Sequence, residues 1–206
     1  MRLPRPCIHN PREPRDFPLG RWNLYLGGAG ARVPGYVNLD LLAVRGVDVQ
    51  ADAHRLPFPD GRFTRVECDA VLEHVRFPAE VMREIERVLA PGGYAHVVVP
   101  FCHPFHAYPT DYHRFTLEGV KLLTGELEAV AQGWRTGPTA TLLAVLLEYV
   151  KLWLPWRPAR ALAHAALVCL LFPLRYLDLW LLRTGRAGRL GNHCYLWLRK
   201  SGGAGR

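Results

Sequence analysis

Apolar residues come in two kinds of run along this chain. From 22 to 68 they form short stretches broken by turn residues. Trp22–Leu26 predicts a strand entering Gly27-Gly28-Ala29-Gly30, and Tyr36–Leu39 a second ending at Asp40. Val47–Ala51 predicts a third, ending at Asp52, and Phe63–Cys68 a fourth. Residues 78–90 carry the clearest helical period: Val81, Met82, Ile85, Val88 and Leu89 share one face, Pro78 opens the first turn and Pro91-Gly92-Gly93 closes the segment. Tyr94–Val99 is apolar enough to lie centrally in a sheet. Strands alternating with a helix and Gly-rich turns predict an α/β fold with a Rossmann-like, mostly parallel sheet. Only 28–35 and 41–46 separate the first three strands, whereas a parallel crossover usually needs a dozen residues or more. The expectation is shortened crossovers with helices cut to single turns.

Beyond Val99 the pattern changes. A His-, Pro- and Tyr-rich loop fills 100–115, a helix is predicted from about Thr116 to Thr124, and a strand over 127–134. Leu142–Leu154 and Ala161–Leu174 are apolar almost all round, with narrow polar stripes, and predict two helices hinged at Pro155-Trp156-Arg157-Pro158. Tyr195–Leu198 predicts a last strand. The organisation expected is a flexible Pro/Arg leader over 1–21, a core over 22–138, an apolar and basic helical insertion over 139–185, a final core strand within 190–200 and a tail over 201–206.

Composition excludes disorder as the main state: of 206 residues, 50% are hydrophobic and 21% charged. The 5 cysteines are scattered, with no C-x-x-C pair, which reads as reduced thiols of a cytoplasmic protein. No apolar signal segment follows Met1-Arg2. The net charge of +8 is unevenly spread. Residues 1–21 hold 5 basic and 2 acidic side chains, 22–138 hold 11 and 14, and 139–206 hold 10 and 2. Basic ends of this kind suit an anionic surface. Leu-rich helices are poor nucleic-acid platforms, so no nucleic acid is expected. Trp153, Trp156, Trp180 and Tyr176 beside Lys151, Arg157, Arg160, Arg175 and Arg183 suit a headgroup boundary instead. Fourteen uncharged residues make a helix of about 21 Å, too short to span the roughly 30 Å hydrocarbon core. The expectation is in-plane, peripheral association of 139–183 with the cytoplasmic membrane face; a homodimer is the other use of such helices.

Three strand ends in chain order offer ligand-facing groups. The turn at Gly27, Gly28 and Gly30 allows close backbone approach, and Asp40 and Asp52 can accept hydrogen bonds from a nucleoside. The turn is G-G-A-G-A-R rather than G-x-G-x-x-G, which speaks against a dinucleotide.

On these residues the chain resembles the class I S-adenosylmethionine-dependent methyltransferases, in a small bacterial subgroup associated with glycan assembly. The resemblance covers about 22–138 and the last strand. It rests on LYLGGAG (24–30), PGYVNLDL (34–41), ADAHRLPFPDGRF (51–63), VLEHV (71–75), EIERVLAPGG (84–93) and the pattern His106, Pro109, Asp111, Tyr112, Arg114, Phe115, Thr116. It implies S-adenosyl-L-methionine as cofactor, held by Gly27, Gly28, Gly30, Asp40, Asp52 and Ala53, with Glu73 and His74 close to the methyl donor. Tyr25 departs from the family, which commonly has an acid there to orient the methionine end.

Methyl transfer to a hydroxyl needs a base in line with the acceptor. His106, Asp111 and His74 are the catalytic residues expected, with Tyr112 and Arg114 for substrate. Cys102, His103, His106, Asp111 and His113 have spacings that permit zinc, but Pro104 and Pro109 break any regular presentation, and no metal is expected. The activity expected is O-methylation of a glycan or lipid-linked sugar at the membrane. The alternative is an inactive module of the same fold, recruited to the membrane as a partner in glycan assembly.

Overall fold

A computed structural model describes residues 8–30 and 32–202. Among these the chain divides into two compact units, one of 14–99, 107–133 and 195–202, the other of 8–13, 100–106 and 134–194. The helical unit is thus wider than the expected insertion.

The larger unit holds most of a seven-stranded sheet. Its strands are β1 (Asn23–Leu26), β2 (Val37–Asp40), β3 (Val49–Gln50), β4 (Phe63–Asp69), β5 (Leu89–Pro100), β6 (Glu128–Thr136) and β7 (His193–Arg199), in the order β3-β2-β1-β4-β5-β7-β6. The pairs β3-β2, β2-β1, β1-β4 and β4-β5 are parallel. The strand order reverses at β1 and β4, the place where open α/β sheets bind ligands beyond the carboxyl ends of their strands. Helix α1 (Pro78–Val88) crosses from β4 to β5. It buries Val81, Met82, Ile85 and Val88, as its period predicts, and each such side chain contributes about 1.5–3 kcal/mol. Its last turn is tied down by Lys200, whose Nζ donates to the carbonyls of Glu86 and Leu89 at 2.6 and 2.8 Å. Pro91-Gly92-Gly93 ends the helix as expected but lies inside β5. The register slips there from Phe63↔Leu89 to Arg65↔Tyr94, and Gly92 takes the left-handed conformation.

The first two crossovers correct one expectation. Among the described residues, 27–30, 32–36 and 41–48 contain turns and bends but no helical turn, yet both pairings are parallel. Backbone packing replaces the helices. Gly30 and Gly46 both have positive φ, and a Cβ on either would run into the backbone of the other connection. Asn38 spans the gap, its Nδ2 donating to the Gly46 carbonyl at 3.0 Å.

The leader expectation also changes for the described part. Asn10 is hydrogen-bonded to the carbonyls of Trp134 and Arg135, and Glu13 pairs with Arg135 at 3.3 Å in the smaller unit. In the larger unit Phe17 stacks on Trp197 with centroids 4.1 Å apart. Side-chain partners more than a hundred residues away order a segment that has no period of its own. The calls on residues 1–7 and 203–206 lie outside the described residues.

Helix α2 (Leu117–Lys121) is capped by Thr116, whose hydroxyl accepts from the Gly119 N–H. In the smaller unit α3 (Pro138–Leu152) packs against α4 (Arg157–Leu171) through Leu143, Leu147 and Val168. A 3-10 turn at Phe172–Tyr176 leads into α5 (Leu177–Leu181). The buried Asp178 caps α3 from a distance: its carboxylate accepts from the N–H groups of Thr139 and Ala140 at 2.8 and 2.9 Å. Gly137 leaves room for it, since a Cβ there would strike that carboxylate.

Candidate functional site

Beyond the carboxyl ends of β1, β2 and β4 lies a cavity of about 380 Å³, within the usual size range of small-molecule sites. Gly27, Asp40, Asp52, Ala53, His74 and Tyr112 line it, six of the positions expected there.

Asp40 ends β2 and is nearly buried. Its two oxygens accept from the N–H groups of Ala29 and Leu42 at 2.9 and 3.0 Å, which fixes the carboxylate and leaves each oxygen a second acceptor direction. Asp52 is held by His54, whose Nδ1 lies 2.6 Å from Oδ1. The N–H of Phe77 donates to His54 Nε2, so the ring proton sits on Nδ1 and points at Asp52. Burial works against ionisation of Asp52, but hydrogen bonds from the His54 backbone N–H and ring outweigh it and hold the carboxyl below its ordinary range.

Among the three glycines, Gly27 alone is on the cavity wall, with φ of 67° and no space for a Cβ beside Val71. Gly28 packs against Asn38 and the Tyr25 ring, and Gly30 against Arg45, so the tightness at these two serves the fold. Tyr25 itself packs edge-on against Tyr36, whose hydroxyl donates to Glu67 at 3.3 Å.

His74 closes a short 3-10 turn (Leu72–His74) after β4. Its Nδ1 donates to the Thr110 carbonyl, and this leaves the lone pair on Nε2. The carboxylate of Glu73 lies 3.8 Å from that Nε2. Glu73 is 0% exposed and stands behind the cavity wall rather than on it. Its carbonyl accepts from Tyr112 and His113 N–H, tying the 107–115 loop to the turn.

Asp111 and Arg114 meet each other. They form a bidentate pair at 2.5 and 2.7 Å with the Asp111 side chain buried, and neither lines the cavity. His106 belongs to the smaller unit, where its ring meets His103 edge-on at 4.7 Å and its Nδ1 lies 3.2 Å from the Pro104 carbonyl. His103 in turn meets His193, which had no motif to mark it. Burial, with the nearby charges of His103, His106, Arg135 and His9, pushes His193 down to about 3. Asn192 Oδ1 accepts from the His193 ring at 2.7 Å. Sequence reasoning also missed the cavity walls contributed by Leu41, Leu42, Val71, Val75, Arg76, Tyr108 and Thr110. Those at 41–42 and 71–76 directly follow strand ends and were within reach of the same topological rule.

Together the reversal of strand order, the glycine turn and the two carboxylates define an α/β domain with a cavity at its topological switch point. A family described as "Methyltransferase domain" matches residues 35–97. The ubiquinone/menaquinone biosynthesis C-methyltransferase UbiE of Pseudomonas entomophila is 36% identical over 126 residues, covering 54% of this chain and 49% of that protein. The chain spans about half the length of the curated relatives it matches. Solved structures share the fold at lower identity. The [4+2]-cyclase SpnF is 18% identical with a TM-score of 0.58 over 89% of this chain and 76% of that one. A putative sarcosine dimethylglycine methyltransferase from Galdieria sulphuraria is 16% identical with a TM-score of 0.56 over 88% and 78%. By sequence, residues 35–97 match a methyltransferase domain, and the fold is the one these solved structures share.

Proposed function

We propose that this protein methylates a small acceptor carrying a hydroxyl on an apolar, lipid-like body. The observation that carries the reading is the His74 imidazole on the cavity wall, its Nδ1 fixed on the Thr110 carbonyl. The residues present fit the cofactor: Gly27 permits close backbone approach, and Asp40 and Asp52 offer acceptors for ribose hydroxyls. S-adenosylmethionine, when bound, supplies an electrophilic methyl group. In this reading the His74 imidazole takes the hydroxyl proton of the acceptor, and Glu73, 3.8 Å from Nε2, favours the resulting imidazolium. On an aromatic ring, removal of that proton raises electron density at the oxygen and at the adjacent ring carbons. One base therefore serves O- and C-methylation; after attack through carbon, the C–H bond at the methylated carbon breaks, its proton passes to the oxygen, and the aromatic ring is restored. The C-methyltransferase relatives support the carbon reading, as do the apolar walls at Val71, Val75, Tyr108, Pro109 and Tyr112. A lipid-linked sugar is the second acceptor, with a free hydroxyl and no ring carbon to attack.

Calorimetric titration with S-adenosylhomocysteine tests the cofactor half: binding is expected, with Asp40→Ala abolishing it. No binding by folded protein overturns the proposal and leaves an inactive module. Labelled cofactor incubated with lipid and polar glycan extracts tests the acceptor. Label is expected in an apolar aromatic product; label confined to glycans reassigns the acceptor.

A further inference from the structure

The helical unit carries a second apolar surface that its own packing does not use. On α3, Leu143 and Leu147 face inward, while Leu142, Val145, Tyr149, Leu152 and Trp153 repeat at helical spacing and stay exposed. Leu152 is 80% exposed and Trp153 and Trp156 are each 73% exposed, values that an ordinary soluble surface avoids for clustered side chains of this size. Leu162, Leu170, Leu177 and Trp180 continue the exposure along α4 and α5.

The charge around this surface has one sign. Arg157, Arg160, Arg183, Arg186 and Arg189 are all exposed. Between 138 and 190 only Glu148 and Asp178 are acidic. Glu148 is neutralised by Lys151 at 2.6 Å, and Asp178 is buried as the cap of α3. We infer that this face docks on an anionic lipid bilayer, its indoles and leucines entering the headgroup boundary and its arginines meeting lipid phosphates. The inference stands apart from the methyl-transfer reading and rests on the helical unit alone.

The same residues decide between lying along and crossing the bilayer. Arg157–Leu181 spans 25 residues, long enough to cross, and its most apolar window is only 11% buried. Yet a 3-10 turn around Pro173 breaks it at Phe172–Tyr176, and Asp178 near its end is committed to α3. Crossing would strip that cap and carry a carboxylate into hydrocarbon. A second copy of the chain is the other possible cover, but a twofold contact would bring the arginine clusters together.

Flotation of the full-length protein with vesicles decides it. Binding is expected to phosphatidylcholine vesicles containing phosphatidylglycerol, weaker to phosphatidylcholine alone, and lost as salt rises. Arg157→Gln and Arg160→Gln should each weaken binding about fivefold. Trp153→Ser with Trp156→Ser should abolish it while the thermal unfolding midpoint stays unchanged, because both side chains are exposed. Failure to float with anionic vesicles overturns the inference. So does release only by detergent, which indicates insertion, or a dimer in solution that the two Trp substitutions dissociate.

Discussion

The guanidinium of Arg114 donates to both oxygens of Asp111, at 2.5 and 2.7 Å, and the acid's side chain is almost wholly out of solvent. Three residues apart, the two close a turn of the loop that brings Tyr112 and Thr110 to the cavity. We propose that Asp111 acts as a positioning residue. Asp111→Asn should cost about 1.5–3 kcal/mol of stability, the worth of charge-assisted hydrogen bonds. Turnover of the folded variant should fall less than about tenfold, whereas loss of a general base costs about 10²–10⁴-fold. Denaturant unfolding and kcat on one preparation separate the two.

His74 should behave in the opposite way. His74→Ala is expected to lower kcat by about 10²–10⁴ and to leave the affinity for S-adenosylhomocysteine within about threefold, since the imidazole serves the acceptor side. Matched calorimetry and turnover check this. Equal losses in both would return His74 to cofactor binding.

The glycine turn predicts a split between neighbours. At Gly30 a side chain would meet the Arg45 carbonyl in a left-handed backbone, so Gly30→Ala should lower stability by about 1–3 kcal/mol. Gly27→Ala carries a similar backbone penalty but also presents its methyl at the cavity, so it alone should weaken cofactor affinity beyond the loss of folded protein. Thermal midpoints and dissociation constants for the pair give the comparison.

The buried Glu67 carboxylate is expected to set the acid limit of the larger unit. His96 Nδ1 lies 2.7 Å from Glu67 on adjacent strands, with both side chains largely buried. Burial disfavours ionised Glu67, but the hydrogen bond and charge of His96, with Arg65, outweigh it and hold the carboxyl below its ordinary range. A depressed carboxyl adds stability that is complete above its unfolded value near 4.5 and is lost as pH falls through the lower folded value. Glu67→Gln should therefore cost about 3–5 kcal/mol at neutral pH and progressively less below about pH 4. Urea unfolding across that range reads the convergence.

Much of this protein was legible in the chain because it depends on neighbours in sequence. The period of 78–90 marks α1, and residues that end strands must face the ligand side of a parallel sheet, so Gly27, Asp40 and Asp52 could be placed before any contact was known. The apolar helices on either side of Pro155 were equally plain, since their composition leaves no other element. Tertiary structure alone decided the rest, because each case turns on a partner far along the chain. Gly30 owes its place to the Arg45 carbonyl in another connection, the α3 cap comes from Asp178 some forty residues later, and the leader is ordered by Trp134, Arg135 and Trp197. Asp111 was matched to its motif, but its pairing with Arg114, only three residues on, does not follow from spacing. A carboxylate's chemistry depends on whether a guanidinium or a substrate occupies its oxygens, and local sequence carries no record of which side chain turns inward.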